Sequence, residues 1–259
     1  MTIKFGYAGD RNISVKILEF LLKNDNYPSC LLVSDNVNAT DSEHLVSRCP
    51  FLERDLIIPG SKLPKKDTKS KLSSLNLDYL ICIHFPYIIP ESILSIPKIG
   101  VLNLHPAYLP WNRGWHTPTW AIFDNTPFGA TLHFMDTSLD TGDIIHEKKL
   151  PISLEDTADS LYQKVLDLEI EVFTEAFPKI LQKNFTRIPQ KNLKGSVHKK
   201  NDIKNIQKID LNENAPIKDL IIKLKALTTN TIDEAAFFEE NGEIYQVQIK
   251  IIKQDKELK

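Results

Sequence analysis

The stretch IKFGYAGDRNISVKILEFLLKNDNYPSCLLVS, Ile3 to Ser34, decides the fold. Ile3 to Gly9 reads as a strand running into a turn, and Ile13 to Leu22 carries apolar residues at helical spacing. Ser29 to Ser34 is a short apolar run of strand length. A strand, a turn, a helix and a second buried strand open a parallel-rich, Rossmann-like α/β sheet with flanking helices, whose ligands gather beyond the carboxyl ends of the strands. Tyr79 to His84 supplies a third strand and Gly100 to Leu104 a fourth. Between them, Asp35 to Lys71 is polar and proline-punctuated, as expected of loops and short helices around one strand at Leu56 to Ile58.

Further along, Asp156 or Thr157 is expected to cap a long helix whose apolar stripe is Leu161, Val165, Leu168, Val172 and Ala176. Pro178 should kink or end it. Asn184 to Lys208, polar and lysine-rich, reads as a crossing segment between domains, and Pro216 to Leu227 as another helix. The chain then closes in a hairpin spanning Ala235 to Ile251, with Asn241-Gly242 supplying the positive-φ turn. Phe237, Phe238, Ile244, Tyr245, Val247 and Ile249 alternate along it, and so small a hairpin cannot bury its own apolar face. Homodimerisation through this region is the expectation.

Composition bounds the function. With 42% hydrophobic and 25% charged residues, the 259-residue chain has the balance of a soluble globular protein. Its formal net charge of −2 offers no basic field for nucleic acid, which weighs against a tRNA substrate. Three cysteines at irregular spacing (Cys30, Cys49 and Cys82) point to a reducing compartment with neither a disulfide framework nor a zinc site. MTIKFGYAGD lacks the apolar core of a signal peptide, and no run approaches membrane-spanning length, so a cytoplasmic protein without a membrane partner is expected.

The chemistry lies in GVLNLHPAYLPWNRGWHTPTWAIFDNTPFGATLHFMDTSLDTGDII, Gly100 to Ile145. Asn103 and His105 sit two apart at the end of a strand, so alternation turns both side chains to one face. Asp140 follows a second apolar strand, Ala130 to Met135. An amide, an imidazole and a carboxylate at strand ends can polarise a carbonyl and manage a proton. Taken singly, Asn103 and His105 could be satisfied turn residues, and Asp140, before Thr141-Gly142, an Asx turn. Taken together they propose an active site.

Asn103 and His105, Leu109 to Gly114, Trp120 to Ile122, Thr131 and His133, and Leu139 to Ile144 form an ordered set. That set resembles the signature of the formyltransferases that use N10-formyltetrahydrofolate. The resemblance implies a catalytic domain over residues 1–190, leaving 191–259 as a small C-terminal domain with the dimerisation hairpin. It also implies that Asn103 and His105 donate to a developing oxyanion while Asp140 accepts the proton of the attacking amine. Within the family, the insert Trp111 to Trp120 and the short tail after Lys225 are similar to the sugar N-formyltransferases. The implied acceptor is a dTDP-linked amino-dideoxy sugar, 4-amino-4,6-dideoxyglucose before the 3-amino isomer, with a product destined for a surface polysaccharide such as O-antigen. The rivals are methionyl-tRNA or glycinamide ribonucleotide as acceptor, formyl-folate hydrolysis, or a folate- or nucleotide-sugar-binding module without catalysis. One departure stands out: many relatives have serine after the histidine, whereas this chain has Pro106.

By the same resemblance the folate would lie against His84, Phe85, Pro86, Tyr87, Ile88 and Ile89, and against the loop carrying Asp136 and Asp143. The plain alternative is a proline-rich turn that closes the sheet. For the nucleotide sugar, Gly9, Asp10, Arg11 and Asn12 lie at a helix N-terminus suited to phosphate, although a salt-bridged surface arginine fits as well. Trp111, Arg113 and Trp115 can hold a sugar or stack on a base, and Lys200 can meet a diphosphate. His116 and Thr117 can cap the following helix, and Trp120 belongs to the core. His133 faces either core or site. His44, His146 and His198 lack metal-ligand spacing, so no metal is expected.

Overall fold

The computed structural model describes residues 3–191 and 193–254. Residues 1, 2, 192 and 255–259, which fall within the two expected domain spans, lie outside the described residues. The chain divides into two compact units. One is built from the described residues of Met1–His105, Thr131–Glu147 and Glu169–Asn192, the other from those of Pro106–Ala130, Lys148–Leu168 and Leu193–Lys259.

The first half of the chain supplies β1 (Phe5–Gly9), α1 (Arg11–Lys23), β2 (Cys30–Val33), α2 (Ser42–Arg48), β3 (Ile57–Pro59), α3 (Lys66–Ser74), β4 (Tyr79–Ile83), α4 (Glu91–Leu94) and β5 (Gly100–His105). After β6 (Arg113–Gly114) and α5 (Thr117–Phe123) come β7 (Gly129–Phe134), β8 (Ile144–Lys149) and α6 (Ala158–Leu181). The seven-stranded sheet runs β3-β2-β1-β4-β5-β7-β8. Its first five strands are parallel, and β7 lies antiparallel to β5. Every residue of β1, β2 and β4 is buried, as a parallel strand covered on both faces requires. Ala8, Leu32, Leu80, Cys82 and Val101 share one core cluster with Leu72 of α3. The order reverses at β1, so His84, His105 and Asp10 all emerge at the carboxyl edge where such sheets bind ligands.

Two details differ from expectation. Helix α1 starts at Arg11, two residues before the apolar spacing that begins at Ile13, and the Asp10 side chain at its N-cap makes no capping hydrogen bond. Its carboxylate accepts the Thr40 and Asp41 backbone N–H groups, both at 3.1 Å. Pro178 does not end the run at its own position: it sits inside α6, three residues before the last helical residue. The helix stops at Leu181 instead. Lys183 is left-handed (φ 54°), with Asn184 N–H on Lys179 O (2.9 Å) and Lys183 N–H on Ile180 O (3.0 Å), a Schellman closure. At its start, Thr157 Oγ1 accepts the Ser160 N–H at 3.3 Å, so Thr157 is the cap.

In the second unit β6 pairs in parallel with β9 (Val197–His198), followed by α7 (Lys204–Gln207), α8 (Ile217–Ala226) and a hairpin of β10 (Ala236–Glu240) and β11 (Glu243–Val247). The segment expected to cross between domains thus holds a strand, a helix and a buried anchor, Ile203, which clusters with Leu227 and Ala236. The hairpin turns at Asn241 (φ 53°) and Gly242 (φ 81°), and its ladder ends at Val247, four residues short of Ile251. Phe238 and Tyr245 stand opposite each other with stacked rings 5.2 Å apart. Ile244 and Tyr245 remain exposed, as do Ile217, Leu220 and Ile221 of α8.

Candidate active site

Antiparallel pairing of β5 with β7 puts Asn103 opposite His133 and His105 opposite Thr131. Directly opposed side chains leave the sheet on the same face, so strand register alone brings an amide and two imidazoles together. His133 is fully buried, and its Nδ1 donates to the Phe134 carbonyl at 2.7 Å. That bond fixes the tautomer and leaves Nε2 as an acceptor, which takes an N–H from Asn103 Nδ2 at 3.2 Å. Burial, reinforced by the nearby His105, holds the His133 imidazole down at about 4 although Asp140 pulls the other way, so the ring is neutral at physiological pH. Asn103 is thereby oriented with its amide nitrogen toward the histidine and a second N–H to spare.

Asp140 closes the cluster. One carboxylate oxygen lies 3.5 Å from His105 Nε2 and the other 3.7 Å from His133 Nε2, and the side chain is only 11% exposed. The loop that delivers it is tied at several points. Asp136 accepts the Ser138 N–H (2.9 Å) and the Thr141 hydroxyl (2.7 Å), so Asp136 forms an Asx turn of its own. Asp140 itself is left-handed (φ 52°), and Gln190 Nε2 donates to its carbonyl (3.0 Å) and to that of Gly142 (2.6 Å). A Cβ on Gly142 would stand 2.0 Å from the Phe134 carbonyl oxygen, which explains the glycine. Asp143 pairs with Arg187 at 2.9 Å, and that guanidinium lies over the Phe134 ring, 3.8 Å from its centre.

The other predicted residues divide clearly. His84 meets Glu169 of α6, with Nε2 2.9 and 3.0 Å from the two carboxylate oxygens. Phe85 tilts against Tyr87, ring centres 5.2 Å apart, and both pack on the core cluster that buries Ile89. Pro86 is exposed and Ile88 is 93% exposed. Gly9 is buried in β1, while Arg11 and Asn12 are exposed. Asp10, at the N-terminal end of α1, is buried. In the second unit, Lys200 Nζ stands 5.1 Å over the half-exposed Trp115 ring and Lys194 Nζ 5.8 Å over Trp111. Arg113 lies in β6. His198 is stacked on Trp120 at 4.0 Å and pairs with Asp124 at 3.2 Å, a partnership its sequence context does not announce. No three His, Cys, Asp or Glu side chains among the described residues are arranged to hold a metal.

An amide, a histidine and a carboxylate converge at the carboxyl edge of a Rossmann-like sheet, and comparison with known proteins gives that arrangement a family. The profile described as formyl transferase matches residues 37–177, more than half of the chain. The chain belongs to the formyl transferase family. A second profile, the N-formyltransferase dimerization C-terminal domain, matches residues 202–253. This formyltransferase is 27% identical over 187 residues to the dTDP-4-amino-4,6-dideoxyglucose formyltransferase of Mycobacterium bovis, covering 71% of this chain and 78% of that protein. A 4-N formyltransferase from Francisella tularensis superposes with a TM-score of 0.81 at 24% identity, covering 97% of this chain and 99% of that one. The N-formyltransferase of Helicobacter canadensis, in complex with folinic acid and dTDP-3-aminofucose, gives 0.67 at 22% identity, covering 93% and 85%. At these identities the two solved structures speak for the fold.

Three residues around the candidate site escape sequence reasoning. His133 was an even choice between core and site, and the strand register, invisible before pairing is known, decides it. Gln190 and Glu169 are single polar residues far from the loops they hold. Only their improbable burial marks them, and burial is not written in the sequence around them.

Proposed function

We propose that this formyltransferase moves a formyl group from N10-formyltetrahydrofolate to the amine of a dTDP-linked amino-dideoxy sugar, with dTDP-4-amino-4,6-dideoxyglucose as first candidate. The observation that carries this reading is the Asp140 carboxylate held against His105 and His133 with Asn103 oriented beside them. His105 Nε2 is buried with no hydrogen-bond partner among the described residues, which suits a donor waiting for an acyl oxygen. Residues 84–90 and the loop of Asp136 to Asp143 would hold the folate, which when bound supplies an activated formyl group. Among the nucleotide-sugar candidates, Trp115 with Lys200 over its ring offers the best platform for a base or sugar, and a diphosphate would find Lys200 within reach.

The chain's own groups then divide the work. The spare N–H of Asn103 and the Nε2–H of His105 receive the negative charge that builds on the acyl oxygen, each such donor typically contributing about 3 kcal/mol. Asp140 takes the proton that the amine gives up as its nitrogen is acylated, and the bond from the formyl carbon to the folate nitrogen then breaks, tetrahydrofolate leaving with a proton on that nitrogen. His133 stays neutral and keeps the amide aimed. No covalent enzyme intermediate is needed.

The exposed apolar residues of α8 and the hairpin, with the profile matched there, support a homodimer formed through this region. All three cysteines are free and buried, which supports work in the reducing cytoplasm, and no helix among the described residues is long and apolar enough to cross a membrane. The product would enter a surface polysaccharide such as O-antigen.

The test is a screen of dTDP- and UDP-linked 3-amino and 4-amino sugars with the formyl donor, read by mass. One candidate should gain a single formyl group, and Asp140→Asn should abolish this while the protein still folds and binds both substrates. A screen in which no sugar is formylated, or an Asp140→Asn protein that turns over at the wild-type rate, refutes the reading.

A further inference from the structure

We propose that Glu169, acting through His84, is a positioning residue for the formyl donor, an inference that rests on residues 84–90 being the donor segment. His84 is the first residue after β4 and adopts a left-handed conformation (φ 49°), so the chain changes direction there. Its side chain is 8% exposed and meets a Glu169 that is wholly buried in α6. The donor Nε2–H is shared between both carboxylate oxygens at 2.9 and 3.0 Å. A carboxylate without access to water persists only when such a donor satisfies it, and an apolar pair of similar volume serves stability as well or better. What an apolar pair lacks is direction, and this hydrogen bond fixes the azimuth of the ring at the point where the segment leaves the sheet.

A second tie lies three residues on. The Tyr87 hydroxyl donates to Asp35 Oδ1 at 2.6 Å, and its ring covers Gly60 so closely that a Cβ there would lie 2.4 Å away. Phe85 and Pro86 are thus suspended between two anchors, and Ile88 stands in the open at 93% exposure. None of the proton or oxyanion chemistry assigned to Asn103, His105 and Asp140 calls on His84 or Glu169. The pair is linked to function only through the shape of the segment it begins.

The experiment uses the full chain with three replacements: Glu169→Leu, Glu169→Gln, which retains an acceptor, and His84→Ala combined with Glu169→Leu. Binding of 5-formyltetrahydrofolate is measured by calorimetry, and steady-state kinetics with N10-formyltetrahydrofolate and the identified sugar follow. Glu169→Leu should weaken folate binding and raise the donor KM about tenfold, the scale of one lost hydrogen bond to a charged group. The kcat and the sugar KM should stay within about twofold, and Glu169→Gln should recover most of the loss. If the single leucine variant does not fold, the double variant should fold and show the same weakened donor binding. A folded leucine or double variant that binds folate like wild type overturns the proposal, as does a fall in kcat with an unmoved donor KM or failure of both variants to fold. Wild-type protein that binds no folate overturns the donor-segment reading itself, an outcome distinct from normal wild-type binding with indifferent variants.

Discussion

Acid should unfold this protein partly through His133. Burial, the largest cause, and the His105 ring keep its folded-state value at about 4 against an ordinary 6.5. Between those values the unfolded chain takes up a proton at this residue that the native fold refuses. The stability tied to the neutral ring is therefore complete above about pH 6.5 and drains away as the pH falls toward 4, below which both forms are protonated. The whole interval corresponds to about 3 kcal/mol, and about 2 kcal/mol of it is lost between pH 7 and pH 5. Urea unfolding of wild type and of His133→Gln at pH 7, 6 and 5 isolates this contribution, since every other carboxylate and histidine is common to both. Wild type should lose about 2 kcal/mol more than the variant over that range. Parallel pH slopes would show that His133 is not held neutral, and the account of how Asn103 is aimed would fall with it, because a protonated Nε2 cannot accept the amide N–H.

The loop around Asp140 gives a second prediction: with only 2.0 Å between an added Cβ and the Phe134 carbonyl oxygen, Gly142→Ala must displace backbone. Turnover should drop by about a hundredfold or more as Asp140 moves, with a lowered unfolding temperature, and unchanged kinetics would contradict the packing described. Burial drives the thiols of Cys30 and Cys49 up to about 12 and about 11 and that of Cys82 higher still, so a disulfide reagent at neutral pH should find no reactive thiol in the native protein and three in denaturant. Ile221→Glu with Tyr245→Glu should shift sedimentation at micromolar concentration from dimer to monomer, and a wild-type monomer under the same conditions would remove the dimer from the account.

Much of this was legible in the sequence because it is repetitive or local. Apolar runs at Phe5, Cys30 and Tyr79 specify buried parallel strands whatever surrounds them, and Asn241-Gly242 fixes its turn with two residues. Asn103, His105 and Asp140 were readable because strand alternation and a Gly-containing loop constrain where their side chains go. At the N-terminal turn the sequence leaves one feature unannounced: the buried Asp10 side chain is tied to Thr40 and Asp41 some thirty residues away. Pro178 marks the end of α6 only to within a turn, because the backbone closure at Lys183 and Asn184 stops the helix three residues further on. The supporting polar residues, His133, Gln190 and Glu169, stayed hidden because each acts on a partner 30 to 85 residues distant. No local pattern encodes a pairing of that kind.

The register of β5 against β7 has a consequence beyond this chain's own reaction. Asn103 and His133 face each other because main-chain ladders, indifferent to side-chain identity, lock the two ribbons in phase. A slip by a single position would flip the imidazole to the opposite surface and dismantle the centre at once. Such a centre tolerates no gradual drift, whereas the connections beyond it can be rewritten freely. Divergence in what gets acylated is thus confined to the periphery, with the means of acylating it frozen into the weave.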